Sequence, residues 1–188
     1  MKIENVQKLK FSQRIASLSL KVNTFGYIQG RTEGYRSALA CTADKKECTN
    51  FYFEATIETK SETGDVRIGI ATSSMELNGP AGLDKYAYAI GSKNGYAFHC
   101  SKRMCACERF GINDIISVYY IKQKNGDPAV FFFRNGNPVD APFSVLDPGD
   151  YWPAVSVYQA ATVYVNFGPY FAFETKVNAF LEAHLIYE

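Results

Sequence analysis

The chain has 188 residues and a formal net charge of +1, with 20 Lys and Arg against 19 Asp and Glu. So even a balance offers no basic field for sequence-independent binding of a phosphate backbone, so nucleic acid is not an expected partner. A hydrophobic fraction of 47% and an aromatic fraction of 15% exclude a disordered chain, and the length suits one domain.

Taken in chain order, 15–22 is mostly apolar and predicts a first strand. Over 50–60, Phe51, Phe53, Ala55 and Ile57 alternate with Tyr52, Glu54, Thr56 and Glu58. This period of two predicts a strand with one core face and one solvated face. Further strands are predicted over 66–71, 86–90, 96–99, 115–122, 130–134, 151–158 and 162–167. Turn clusters separate them: Lys93-Asn94-Gly95, Lys124-Asn125-Gly126-Asp127-Pro128 and Asp147-Pro148-Gly149-Asp150. Asn135-Gly136 predicts a tight hairpin with positive φ at its turn. Many short strands with Gly, Asn and Pro turns predict an all-β antiparallel sandwich. Last, Val177, Phe180, Leu181, His184 and Leu185 fall at helical spacing. Three helical turns are marginal alone, so this amphipathic helix packs either on the sandwich or in a partner's groove.

Candidates for chemistry are few. No apolar run exceeds five residues (129–133 is one), too short for a membrane span. His99 abuts Cys100, but neighbours on a strand point to opposite faces, which would part thiol from imidazole. No nucleophile elbow or phosphate-binding glycine loop occurs, so neither catalysis nor a cofactor is expected. Cys41, Cys48, Cys100, Cys105 and Cys107 make an odd count behind an N-terminus with no secretory signal, which reads as reduced thiols inside the cell. His99, Cys100, Cys105 and Cys107 are zinc-ligand types. Their spacing is not that of a finger, and Lys102, Arg103, Glu108 and Arg109 read as a solvated loop, so no metal is expected. Asp84, Asp114 and Asp147 sit beside turns, where carboxylates accept backbone N–H bonds. What remains is binding, and Gly79-Pro80-Ala81-Gly82-Leu83-Asp84-Lys85 is a loop suited to it.

The order Phe51-Tyr52-Phe53-Glu54, Arg67-Ile68-Gly69-Ile70, Leu77 to Tyr88, Val130 to Gly136, Tyr151-Trp152-Pro153 and Asn166-Phe167-Gly168-Pro169 resembles a SPRY domain over about residues 26–173. The segment 80–88, with Ser92-Lys93, Phe98-His99 and 166–169, resembles more narrowly the Ash-two (Bre-two) family of COMPASS-type histone methyltransferase complexes. The resemblance implies a bent antiparallel β-sandwich without catalytic activity or cofactor. It implies a nuclear scaffold that binds a short acidic peptide of a WD-repeat subunit, RbBP-five or Swd-one-like. That pair would help to activate a SET-domain methyltransferase on histone-three lysine four. A generic SPRY recognition module, such as a ubiquitin-ligase substrate adaptor, is the competing reading.

Carried over residue by residue, the resemblance implies a peptide pocket of Tyr35, Arg67, Pro80, Leu83 and Lys93. Two positions depart from the family: Leu83 replaces an aromatic ring and Gly91 replaces a second arginine. Arg36 or Lys85 would be the compensating cation. The family's C-terminal helix implies that Phe180, Leu181 and Leu185 face a Dpy-thirty-like dimer, and this resemblance leans the helix reading to the partner groove. The expected organisation is a lead-in with the first strand (1–24), the SPRY domain (25–173) and the helix (174–188). Nothing in 1–24 matches the zinc- and DNA-binding region of larger members, which reads as a compact form or the domain alone.

Overall fold

The computed structural model describes residues 9–23, 25–30, 34–41, 49–123, 126–143 and 145–185, without the side chains of 12–15 and 185. The strands pair into two antiparallel sheets. The first orders β1 (Lys10–Ala16), β4 (Tyr35–Cys41), β13 (Trp152–Tyr158), β6 (Asp65–Ala71), β7 (Ala87–Gly91), β8 (Tyr96–His99) and β9 (Lys102–Cys105). The second orders β12 (Asn137–Val139), β11 (Pro128–Arg134), β10 (Ile115–Lys122), β5 (Asn50–Thr59), β14 (Thr162–Asn166), β3 (Tyr27–Gly30) and β2 (Leu20–Val22). Between them Phe51, Phe53, Ile57, Ile68, Ile70, Ile90, Val118, Tyr120, Val155 and Val163 form the buried core. Phe51 stacks on Tyr120 at 4.9 Å between ring centroids.

Both outer faces are partly covered. On the first sheet, Leu39, Ala71, Ala87, Ala89 and Ala154 form a low surface, and the connection 72–86 lies on it with Met75 and Ala81 buried. On the second sheet, α1 (Glu174–Leu185) packs Val177 and Leu181 against Tyr52, Tyr119 and Phe133. The expected solvated face of β5 is therefore corrected: Tyr52 and Glu54 are buried. Glu54 accepts bonds from the backbone N–H of Ala172 (2.7 Å) and Phe173 (2.8 Å) and from the Tyr52 hydroxyl (2.8 Å). A carboxylate inside the protein is tolerable because three donors replace its water.

Three strand expectations change. The single strand over 15–22 is broken by a turn in which Leu20 N–H bonds the Ser17 carbonyl, so β1 and β2 join different sheets. β3 and β4 were not legible as strands. The stretch read as a solvated loop after Cys100 contains β9, an edge strand paired with β8. The Asn135-Gly136 hairpin forms as predicted, with φ of 51° and 76°.

Candidate functional site

Where the 72–86 connection ends, the first sheet's outer face is open, and a pocket of about 150 Å³ is lined by Tyr35, Asp65, Arg67, Gly91, Lys93, Asn94, Tyr96, Phe98 and Arg103. The sheet register builds it. Arg67 on β6 pairs with Gly91 on β7 and with Ser156 on β13, and Phe98 on β8 pairs with Arg103 on β9. These residues thus converge from five strands: β4, β6, β7, β8 and β9.

Arg67 is the centre. Its guanidinium carbon lies 3.6 Å from the Phe98 ring centroid and 5.1 Å from that of Tyr35. Its Nη1 donates to the Ala81 carbonyl at 3.0 Å, which ties the pocket to the covering loop. Its Nε is buried with no acceptor among the described residues. Burial lowers the Arg67 pKa, against the opposing pull of Tyr35 and Asp65; an arginine stays protonated nonetheless. Gly91 has a physical reason here. A Cβ at position 91 would lie 2.7 Å from Cε2 of Phe98, so the glycine makes room for the ring that covers Arg67.

Asp65 braces this arrangement. Its Oδ1 accepts from the N–H groups of Val66 and Lys93 and from the Ser92 hydroxyl, and its Oδ2 accepts from Tyr35 at 2.5 Å. Burial, then the bond to this carboxylate, pushes the Tyr35 hydroxyl far above the ordinary phenol value. Tyr35 is therefore a fixed donor to Asp65, its ring packed on Tyr158 at 5.0 Å.

Of the predicted pocket residues, the structure brings together Tyr35, Arg67 and Lys93. Pro80 and Leu83 are not among the lining residues. Pro80 precedes the Ala81 that holds Arg67, and Leu83 is 46% exposed on the loop. Arg36 and Lys85, the expected compensating cations, do not line this pocket. Arg36 donates to the Tyr35 carbonyl and Lys85 lies over Tyr86. It is Arg103 that adds a second guanidinium to the lining, and Phe98 and Tyr96 that add rings. Asp65, Phe98 and Arg103 were missed as site residues. The cue for Arg103 was its place, four residues after His99, across a possible two-residue turn.

That turn also changes the reading of Cys100. Cys100 and Ser101 both have positive φ, 50° and 59°, so the strand periodicity stops at His99. The Cys100 Sγ comes back to 3.4 Å from His99 Nε2, while Nδ1 bonds the Ala87 carbonyl and the ring stacks on Tyr88 at 3.9 Å. Thiol and imidazole are neighbours after all. Neither lines the Arg67 pocket. Cys105 lies on β9 and Cys48 lies outside the described residues. Among the described residues no group of three or more His, Cys, Asp or Glu could hold a metal ion, and no helix is long and apolar enough to cross a membrane.

The helix residues are placed as follows. Leu181 is fully buried by the chain's own sheet, and Phe180 meets Phe133 edge-on at 5.2 Å. Leu185 ends α1, and its side chain lies outside what is described. The lean towards a partner groove is thus corrected for Leu181, which the sandwich itself covers.

Comparison with known proteins agrees with this architecture. The family profile described as SPRY domain matches residues 50–170. The chain is 26% identical, over 180 residues and 74% of its length, to the Set1/Ash2 histone methyltransferase complex subunit ASH2 of Drosophila melanogaster. It is 32% identical, over 126 residues and 64% of its length, to Ran-binding protein 9 of Xenopus laevis. It spans only 32% and 22% of those two proteins. The crystal structure of the SPRY domain of human HERC1 superposes with a TM-score of 0.70 at 14% identity, covering 86% of this chain and 99% of that one. A two-sheet antiparallel sandwich and a profile match across most of its strands lead to one conclusion: the chain belongs to the SPRY-domain family.

Proposed function

We propose that the chain is a non-catalytic scaffold subunit of a nuclear histone-three lysine-four methyltransferase complex. Its Arg67 pocket holds a short acidic segment of a WD-repeat subunit, RbBP-five or Swd-one-like, and the pair helps to fix a SET-domain methyltransferase in its active arrangement. The observation that supports this most is the Arg67 guanidinium, clasped by Phe98 and Tyr35 beside Lys93 and Arg103. Aromatic clasping fixes its orientation before a carboxylate arrives, which lowers the ordering cost of binding. Similarity to ASH2 supports the complex. A Dpy-thirty-like dimer would have to meet α1 by the Phe180 side or displace the helix from its sheet.

Arg67→Ala is expected to weaken an acidic WD-repeat peptide by about 2 kcal/mol or more, because one member of a largely desolvated charge pair is lost. Calorimetric titration checks this, and an unchanged affinity would remove the pocket assignment. Capture of WD-repeat and SET-domain subunits from the source cells, read by mass spectrometry, checks the complex. Similarity to Ran-binding protein 9 favours a second reading, a SPRY module that reads an unrelated short peptide, as an adaptor of a ubiquitin ligase would. Capture of cullin-containing partners would favour that reading.

A further inference from the structure

A second and larger cavity, about 590 Å³, adjoins the Arg67 pocket and is lined by Lys60, Glu62, Ser92, Lys93, Asn94, Arg109, Phe110 and Gly111. The two chambers share Lys93 and Asn94. Ser92, which lines the larger chamber, donates its hydroxyl at 2.7 Å to Oδ1 of Asp65, which lines the smaller. Along this double groove stand Arg103, Arg67, Lys93, Lys60 and Arg109.

Two carboxylates oppose these five cations. Asp65 is buried and spends both oxygens on Tyr35, Val66, Ser92 and Lys93 N–H. Glu62 is exposed. Among the described residues, Lys93, Arg103 and Arg109 have no carboxylate within ion-pair distance, and Lys60 reaches only the Gly64 carbonyl at 3.4 Å. On a chain with a net charge of +1, this is a local concentration of unneutralised cations and not a share of a general basic surface.

We infer that the Lys60–Arg109 chamber is a second anionic subsite. It takes a further carboxylate-bearing stretch of the same acidic segment that enters the Arg67 pocket, with Lys93 serving both chambers. This rests on the acidic-peptide reading above and extends it. The ligand is an extended acidic peptide with two anchor clusters and not one. Half-buried Lys60 and exposed Lys93 and Arg109 act at the rim, through attraction that salt screens, whereas Arg67 acts through a desolvated pair.

The test uses two labelled synthetic probes, deca-aspartate, which spans about 33 Å when extended, and tetra-aspartate, about 13 Å. Each is titrated by fluorescence anisotropy at low and physiological salt. The paired variant Lys60→Gln with Arg109→Gln is expected to weaken deca-aspartate about tenfold and to flatten its salt dependence. Tetra-aspartate binding, which Arg67→Ala is expected to weaken strongly, is expected to stay unchanged in that paired variant. A charge-matched control, Lys21→Gln with Lys176→Gln on β2 and α1, is expected to leave both probes unchanged. Loss of deca-aspartate binding in Arg67→Ala alone, with the paired variant unaffected, would overturn the second subsite and leave the proposed function standing. An equal effect of the control pair would overturn it too, because bulk charge would explain the result. If neither Arg67→Ala nor the paired variant weakened either probe, both readings would fall. Thermal midpoints of the paired variant and the control, expected to equal that of the native chain, separate their binding effects from misfolding, and the midpoint of Arg67→Ala, which loses the Ala81 bond, is read alongside its affinity.

Discussion

Glu54 ties the C-terminal segment to the sandwich, and Glu54→Ala is expected to release α1. The carboxylate is 3% exposed and accepts the Ala172 and Phe173 N–H groups and the Tyr52 hydroxyl. Bonds to a buried charged acceptor are worth about 1.5–3 kcal/mol each, so stranding all three donors in place would cost more than about 5 kcal/mol. The segment has a cheaper course. Val177 and Leu181 are the two side chains of α1 buried against Tyr52, Tyr119 and Phe133, and their burial contributes about 1.5–3 kcal/mol each. Detachment therefore loses about 3–6 kcal/mol from these two side chains, and more from the partly buried Phe171, Phe173 and Phe180, which is within the stability of an ordinary domain. Urea denaturation should report a loss of at least about 3 kcal/mol. Hydrogen exchange should show amides of 174–185 losing protection while those of β10 keep theirs. Glu54→Gln, which keeps one acceptor oxygen, should lose about half as much. A loss under about 1 kcal/mol with unchanged protection of α1 would show that packing alone holds the helix and would refute this account.

Two further predictions concern the pocket and acid stability. Gly91→Arg, which restores the arginine typical of the related family, is expected to destabilise by about 1–3 kcal/mol without tightening acidic-peptide binding, because its Cβ collides with the Phe98 ring that covers Arg67; urea denaturation and calorimetry check it, and combining it with Phe98→Ala should recover the stability. Asp114 feels burial, which raises its pKa, but the N–H of Gly111, the amide of Asn135 and the guanidinium of Arg134 outweigh it and hold the carboxyl below the ordinary range. A depressed folded-state value means that the contribution is complete above the unfolded value of about 4 and is lost as pH falls through the folded value. Asp114→Asn should therefore destabilise at neutral pH and make the acid limb of a stability–pH curve shallower; an unchanged limb would remove Asp114 as its cause.

How much was legible in the sequence depended on whether the cause was local. The alternation in β5 and the Asn135-Gly136 turn are local, and both gave the correct strands. The outer face of β5 failed because what covers it, Phe171, Phe173 and α1, arrives more than 100 residues later. β4 was invisible for a different reason. Its sequence, Tyr-Arg-Ser-Ala-Leu-Ala-Cys, is rich in alanine, a poor strand former. Ala38 and Ala40 face the core between the sheets, and Ser37, on the other face, lies under the covering loop, donating to the Gly79 carbonyl at 2.6 Å.

The site shows the same division. Tyr35, Arg67 and Lys93 could be read because each matches a position in a recognisable order. Arg103 could not, because it reaches the pocket through a hairpin whose turn is Cys100-Ser101, neither Gly nor Asn. Positive φ at such residues is costly and persists where tertiary contacts hold it. Here the Cys100 N–H bonds the Asp84 carbonyl, the Ser101 N–H bonds Gly82 and the Ser101 hydroxyl bonds Leu83. The Gly/Pro-rich loop that marked the chain as a binding module thus clasps the turn that delivers the second arginine. Leu83 serves the site through its backbone carbonyl, a role that no reading of side-chain identity would reveal. Gly91 is coupled to the same device: its missing side chain admits Phe98, and Phe98 stands opposite Arg103 in the β8–β9 register. In this pocket the second guanidinium therefore comes from Arg103 on β9, and the Phe98 ring fills the space that Gly91 leaves on β7.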